Sequence, residues 1–205
     1  ICSDNPCNEW IGAQIRADLY GWVAPGRPEL AADLARRDAA LSHRGEGVNG
    51  AVFVAALAAS IPASGSLAEA FAAALAQLPA ASDAAAAVRR GLALAGRDDA
   101  PEQLHAEFAG LPPVHTLNNL AVVAWALATA GEDFCAAIGY AVAAGWDTDS
   151  NGATVGGLAG LRSRSVPETW TRPWRGRVGV DLAGMADLEL ADLAGRTVAV
   201  AEQLQ

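Results

Sequence analysis

Apolar residues recur at three- and four-residue spacing from end to end of the chain, inside segments rich in alanine, while the alternating Val/Ile/Thr runs that pair as strands are scarce. That period lays one face of each segment inward and predicts an all-α protein, a compact multi-helix bundle. Helices are predicted from about Glu9 to Tyr20, Glu29 to Leu41, Gly47 to Ser60, Leu67 to Leu78, Asp83 to Ala95, Glu102 to Phe108, Thr116 to Ala130, Asp133 to Ala144, Asn151 to Leu161 and Ala186 to Leu204. Local signals agree with these spans. Ser66-Leu67-Ala68-Glu69 has the spacing of a capping box, Pro28 suits a first turn, Gly131 suits a helix end, and Pro62 and Pro112-Pro113 punctuate turns. There is no fixed-period repeat and no long linker, so the 205 residues are read as a single all-helical domain.

Composition narrows the function classes. Apolar residues make up 52% of the chain, enough to bury a core, and the net charge of −9 argues against a general phosphate-backbone surface. The stretch Arg162 to Arg177, with Trp170 and Trp174 between the arginines, is the one basic and aromatic patch. It reads either as a solvated connection with Trp anchors packed on the bundle or as a stacking surface for nucleic acid, and the overall acidity disfavours nucleic acid. Cys2, Cys7 and Cys135 form no CxxC pair and leave one unpaired in any disulfide scheme, which suits a reducing, cytoplasmic setting. The longest apolar run, around Ala121 to Ala130, is broken soon after by Gly131-Glu132-Asp133, so no membrane span is expected. ICSDNPCNEW has neither the charged start nor the apolar region of a signal peptide, and the chain starts at Ile1 rather than Met.

The stretch GWDTDSNGATVGGLAG, Gly145 to Gly160, carries the chemistry. Asp147, Asp149 and Ser150 fall between one apolar helix and the start of the next, so their oxygens can converge, and hard cations such as Mg²⁺, Mn²⁺ or Ca²⁺ want such ligands. Without a cation, two carboxylates so close repel and one takes up a proton. A simpler reading has Asp149 or Ser150 capping the helix while Asp147 is solvated. A third, a calcium loop, matches DTDSNG over its first six positions and fails at the twelfth, where Leu158 replaces the bidentate Glu. Gly152, Gly156 and Gly160, with Ala153 and Gly157 beside them, leave one helix face nearly bare for a helix or a ligand to approach.

GWDTDSNGATVGGLAG resembles the C-terminal metal motif of the ADP-ribosylglycohydrolases, G-[GW]-D-T-D-[ST] followed by a small-residue helix. The segments EWIGAQIRADLYGWVAPGRPELAADLARRDAALSHRGEGVNGAVFVAALAA, VHTLNNLAVVAWAL and VPETW are similar to this family too, in the order expected, so the resemblance covers essentially the whole chain. It implies an all-helical fold with two Mg²⁺ ions in a cleft, Mn²⁺ being a substitute, and hydrolysis of the bond joining ADP-ribose to an acceptor. By that resemblance Asp147, Asp149 and Ser150 are metal ligands. Ser42, His43 and the Gly47-Val48-Asn49-Gly50 turn, with Gly47, Asn49 and Gly50 as contacts, stand near the ADP-ribose cleft, where a Gly turn opening a helix would offer free N–H groups to phosphate. His115, Asn118 and Asn119 are placed at the ribose or nucleobase. Taken alone, His43 reads as a helix-end or core histidine, and His115, Asn118 and Asn119 as groups satisfying a helix start after the two prolines.

One part of the family pattern does not match. The resemblance calls for an N-terminal [ST]-D-D-[ST] motif and a neighbouring acidic residue; Arg97-Asp98-Asp99-Ala100 lacks the flanking hydroxyls and comes too late, and Asp4 is a single carboxylate. The chain is therefore expected to be the C-terminal portion of a larger hydrolase carrying half of the metal site, with the catalytic acid elsewhere and a complementing N-terminal fragment or self-association as partner. A homologue that binds ADP-ribose or a nucleotide without hydrolysing it, or one with a structural role, is the alternative.

Overall fold

A computed structural model of the protein describes residues 5–204; Cys2 and Asp4 lie outside the described residues. The chain is all-α. After a short 3₁₀ turn at Gln14–Arg16 come α1 (Asp18–Trp22), α2 (Pro28–Ala39), α3 (Gly45–Ser60), α4 (Leu67–Leu75), α5 (Asp83–Ala93), α6 (Ala100–Glu107), α7 (Thr116–Ala130), α8 (Phe134–Ala143), α9 (Thr148–Ser163), α10 (Glu168–Thr171) and α11 (Leu190–Leu204). A two-residue hairpin, Arg177–Val178 antiparallel to Leu188–Glu189, precedes α11.

Helix α3 is the axis of the bundle. Every residue from Gly50 to Ser60 is buried, so it is apolar all round as an interior helix must be. With the 3₁₀ turn after it, the 19-residue stretch Gly45–Ala63 reaches a mean hydropathy of 1.4, long and apolar enough to cross a bilayer, which corrects the expectation that no run reaches that length; 72% of its most apolar window is buried inside the bundle. Around it pack α1, α2 and α4, while α7 joins α5 on one side and α8 on the other, and α8 lies on α9. Close approach depends on glycine at two crossings. A Cβ on Gly21 would meet the Ala58 methyl and lie 2.5 Å from the Ala55 carbonyl oxygen of α3, and one on Gly91 would strike the Ala121 carbonyl oxygen of α7.

Helix starts follow the sequence. Ser66, Ser82 and Asp133 accept from the amides of Glu69, Ala85 and Ala136. Glu69 returns its carboxylate to the Gly65 amide, one residue before the cap. Two predicted spans are corrected. Glu9 to Tyr20 is not one helix, because the Glu9–Ile11 backbone pairs across to Val114–Thr116 (Ile11 N–H to Val114 O, 2.8 Å; Thr116 N–H to Glu9 O, 2.9 Å), Gln14–Arg16 forms only a 3₁₀ turn, and the α-helix is confined to Asp18–Trp22. The last helix begins at Leu190 and not at Ala186, since Leu188–Glu189 pairs with Arg177–Val178, held by Arg177 against Asp187 and Glu189. Helix α9 starts three residues earlier than expected, at Thr148.

Part of the bare face of α9 is covered by α8: Cβ atoms built on Gly152 and Gly156 would lie 3.2 Å from the Val142 and 3.3 Å from the Ile138 side chains. In the arginine-rich stretch both expected anchors are exposed, though Trp170 meets Phe134 edge-on with its indole N–H on Cys135 Sγ.

Candidate functional site: an acidic turn locked between two helix starts

The chain leaves α8 through Gly145 and Trp146, both with positive φ (86° and 59°). A tryptophan in that region costs strain, and packing holds it: the indole stacks on His105 at 4.1 Å and meets Phe108 edge-on, while His105 Nε2 donates to the Ala144 carbonyl at 2.7 Å. The kink delivers Asp147 to the N-cap of α9, where its carbonyl accepts the first helical bond from the Asn151 amide. Asp149 and Ser150 follow in the first turn, Asp149 exposed and Ser150 half-buried.

The two carboxylates behave as a pair. Burial, with the Asp149 charge beside it, pushes Asp147 above the usual carboxylate range, and the hydrogen bond from Asp147 holds Asp149 below it. Two carboxylates this close repel, which raises the pKa of the more buried one. Asn119 of α7 positions the turn. Its Oδ1 accepts from the Asn151 side-chain amide (2.7 Å) and from the Asp147 backbone N–H (3.3 Å), while its Nδ2 donates to the carbonyls of His115 (2.7 Å) and Pro113 (2.9 Å). One fully buried amide thus bolts the start of α7 to the start of α9.

The other predicted contacts fall into two groups. His115 is the N-cap of α7, its Nδ1 accepting from the Leu117 amide and its Nε2 lying 3.6 Å from Glu9 Oε2. Asn118 donates to the Pro112 carbonyl. Both make the bonds of a satisfied helix start. Gly47 and Gly50 lie inside α3, which begins at Gly45, so the expected glycine turn ahead of the helix is not formed, and the N-terminal amide of Glu46 is already taken by Glu9 Oε1 at 3.0 Å. Instead the two glycines leave room for Asn8–Glu9 and for Gln14 and Thr116, and Asn49 donates to Glu46, whose carboxylate also accepts the Ala84 amide at the start of α5. Ser42 and His43 sit just before α3, hydrogen-bonded to one another at 2.7 Å.

A cleft of about 500 Å³ runs past Glu9, Trp10, Arg44, Gly45 and His115. A second groove, about 300 Å³, lies over Gly156, Gly157 and Gly160 beside Trp22. Sequence reasoning missed four polar groups, three of them buried or half-buried and the fourth, Arg16, exposed. Gln14, fully buried, accepts from Thr116 Oγ1 at 2.6 Å, and its Nε2 has no hydrogen-bond partner among the described residues; neither has Oδ1 of the fully buried Asn151. Asp18 faces Gly157, and burial raises its pKa. Arg16 reaches Asp38, Ser42 and the Gly12 carbonyl together. The signal available for Gln14 was an amide at an inward position of an apolar period.

An all-helical bundle whose last core helix opens on two carboxylates and a hydroxyl defines the class: helical proteins with an acidic, oxygen-rich turn at a helix start. The family model of the ADP-ribosylglycohydrolases matches residues 3–202, and the chain belongs to that family. No curated protein and no solved structure matches it.

Proposed function

We propose that the Asp147–Asp149–Ser150 turn is a divalent-cation site of a metal-dependent hydrolase that cleaves the glycosidic bond between ADP-ribose and an acceptor, with two Mg²⁺ ions in the intact centre. The observation that carries this reading is the placement of two carboxylates and a hydroxyl at the start of α9, Asp147 at the N-cap with Asp149 and Ser150 in the first turn, on a backbone tied to α7 by Asn119. The donor set suits the ion, since both are hard, and a cation would offset the repulsion between the two carboxylates. Asp147 and Asp149 would hold it through carboxylate oxygens and Ser150 through its hydroxyl. When bound, Mg²⁺ supplies Lewis-acid polarisation of ribose oxygens next to the anomeric carbon, where positive charge develops as the acceptor leaves. Asn119 keeps the Asp147 backbone in place, and the Trp146–His105 stack keeps the strained kink that presents it.

The described residues include no group of three or more His, Cys, Asp or Glu side chains able to hold a metal. The turn itself offers two carboxylates and one hydroxyl, fewer oxygens than a hard cation takes, so in this reading the remaining ligands come from a complementing segment or a second copy, and alone the chain binds metal weakly and turns over little. Titration of ADP-ribose calorimetrically, with Mg²⁺ and then with a chelator, tests the reading. Magnesium-linked affinity that disappears in Asp149→Ala, and is reduced less in Ser150→Ala, is the expected result. Affinity that survives chelation would replace the hydrolase reading by that of a non-hydrolysing ADP-ribose binder.

A further inference from the structure

Four fully buried polar side chains lie behind the acidic turn: Gln14 of the first 3₁₀ turn, Thr116 and Asn119 of α7, and Asn151 of α9. Thr116 Oγ1 donates to Gln14 Oε1 at 2.6 Å, and the Asn151 side-chain amide donates to Asn119 Oδ1 at 2.7 Å. Two atoms are left without a partner among the described residues, Gln14 Nε2 and Asn151 Oδ1, one a donor and the other an acceptor. Buried polar atoms in folded proteins are almost always satisfied, so two complementary orphans in one cluster call for a third party.

The bonds around Asn151 leave its amide one orientation. Asn119 Nδ2 is committed to the carbonyls of His115 and Pro113, so its oxygen must face Asn151, Asn151 must answer with its NH₂, and Oδ1 is the edge turned away. Gln14 can be turned over, which gives Nε2 to the Thr116 oxygen and leaves Oε1 as the free atom. Thr116 and Asn119 are three residues apart in the first turn of α7, neighbours on one helix face with Cβ atoms about 5 to 6 Å apart. Gln14 hangs on the first and Asn151 on the second, and the 3₁₀ turn that carries Gln14 packs against α9. Gly50 lets α3 close the cluster from behind, since a Cβ there would strike Thr116 Oγ1 and lie 2.9 Å from Gln14 Oε1.

We propose that one internal water bridges Gln14 and Asn151, and that through it Gln14 is a positioning residue for the acidic turn. A water donates two bonds and accepts two, so it satisfies Asn151 Oδ1 and either orientation of the Gln14 amide. The Thr116 hydroxyl supplies a third partner, the usual number for a buried water. Asn151 directly follows Ser150, its backbone N–H makes the first bond of α9 to the Asp147 carbonyl, and its side chain shares Asn119 Oδ1 with the Asp147 N–H. Losing the bridge frees one edge of the Asn151 amide, and the Asp147 N–H that shares its acceptor moves with it. The consequence for a metal rests on the cation reading above; the water does not.

High-resolution diffraction from the unaltered protein, without metal or ADP-ribose, is expected to show one water within hydrogen-bond reach of the Gln14 amide and Asn151 Oδ1. NMR should show cross-peaks from a long-lived water to both side-chain amides. In Gln14→Met, similar in length but without polar side-chain hydrogen-bond donors, the water cross-peak to Asn151 should vanish and the Asp147 amide resonance should shift. Mg²⁺ affinity should fall about 2- to 10-fold, the worth of one hydrogen bond. Gly21→Ala, which strains a helix crossing outside this cluster, should leave the Asp147 resonance and the ion affinity as in the parent. A direct bond between Gln14 and Asn151, or a dry contact between them, overturns the bridge. An unmoved Asp147 resonance in Gln14→Met, or equal shifts in the two variants, overturns the positioning role; should Gln14→Met fail to fold, diffraction from the unaltered protein still decides the bridge. Absence of Mg²⁺ binding by the unaltered protein would overturn the functional reading instead, while the water and the Asp147 resonance, both read without metal, still decide this inference.

Discussion

Asn119 is the residue on which the site depends most. It satisfies two carbonyls of one helix start and two donors of another, all from one buried amide. Asn119→Ala strands those partners away from water, and urea denaturation should show a loss of about 3 kcal/mol. Its removal should also weaken Mg²⁺ binding roughly 10- to 100-fold, as removal of a group that orients a ligand does; a loss under about 1 kcal/mol with unchanged ion affinity would contradict both claims. Asp18 gives the opposite sign. Burial raises its pKa, so the folded protein binds a proton that the unfolded chain gives up at lower pH, and stability falls as pH rises from the ordinary carboxylate value to the raised one. Asp18→Asn keeps the acceptor for the Leu19 amide and never ionises, so its melting temperature should exceed the parent's at neutral pH and match it near pH 3 to 4. At this scale the acidic turn was legible in the sequence because its three oxygens are adjacent in the chain. The bonds between Gln14 and Thr116, 102 residues apart, and between Glu9 and Glu46, 37 apart, were not, since no local pattern encodes which distant partner a buried amide or carboxylate will meet.

Among elements, the contrast between glycines separates packing from propensity. Gly21 and Gly91 lie where α1 meets α3 and α5 meets α7, and a methyl group at either would enter a neighbouring backbone. Gly21→Ala should therefore cost about 1 to 3 kcal/mol despite the better helix former. Gly139, exposed on α8, has nothing within 4 Å of a built Cβ, and Gly139→Ala should stabilise by about 0.5 to 1 kcal/mol. Equal effects in thermal unfolding would show that close approach is not what selects glycine at the crossings. The apolar period located most helices, and the Ser66 capping box marked one of their starts. It failed at Glu9–Tyr20, where a helical spacing of apolar residues survives although backbone pairing with Val114–Thr116 wins over helix closure. The small residues of α9 were read correctly as a close-approach face, which α8 covers at Gly152 and Gly156.

Across the whole molecule, stability is distributed unevenly. The core runs through α3, α5 and α7, whereas α11 buries only Ala201 and leaves Val198 and Val200 exposed. Ending the chain after Arg175 should lower the melting temperature by no more than about 4 °C, the shift expected when roughly 1 kcal/mol is lost from a protein of this size; a larger fall would mean that the hairpin and α11 brace the bundle. The stack of Trp146 on His105 has a use beyond holding the kink. Of the six tryptophans it is the one that immediately precedes Asp147, so any tightening of the turn around an ion must tug directly on an indole. On the proposed reading the acidic turn therefore comes with its own fluorophore, and addition of Mg²⁺ should change the emission of the unlabelled protein, with Trp146→Phe as the blank.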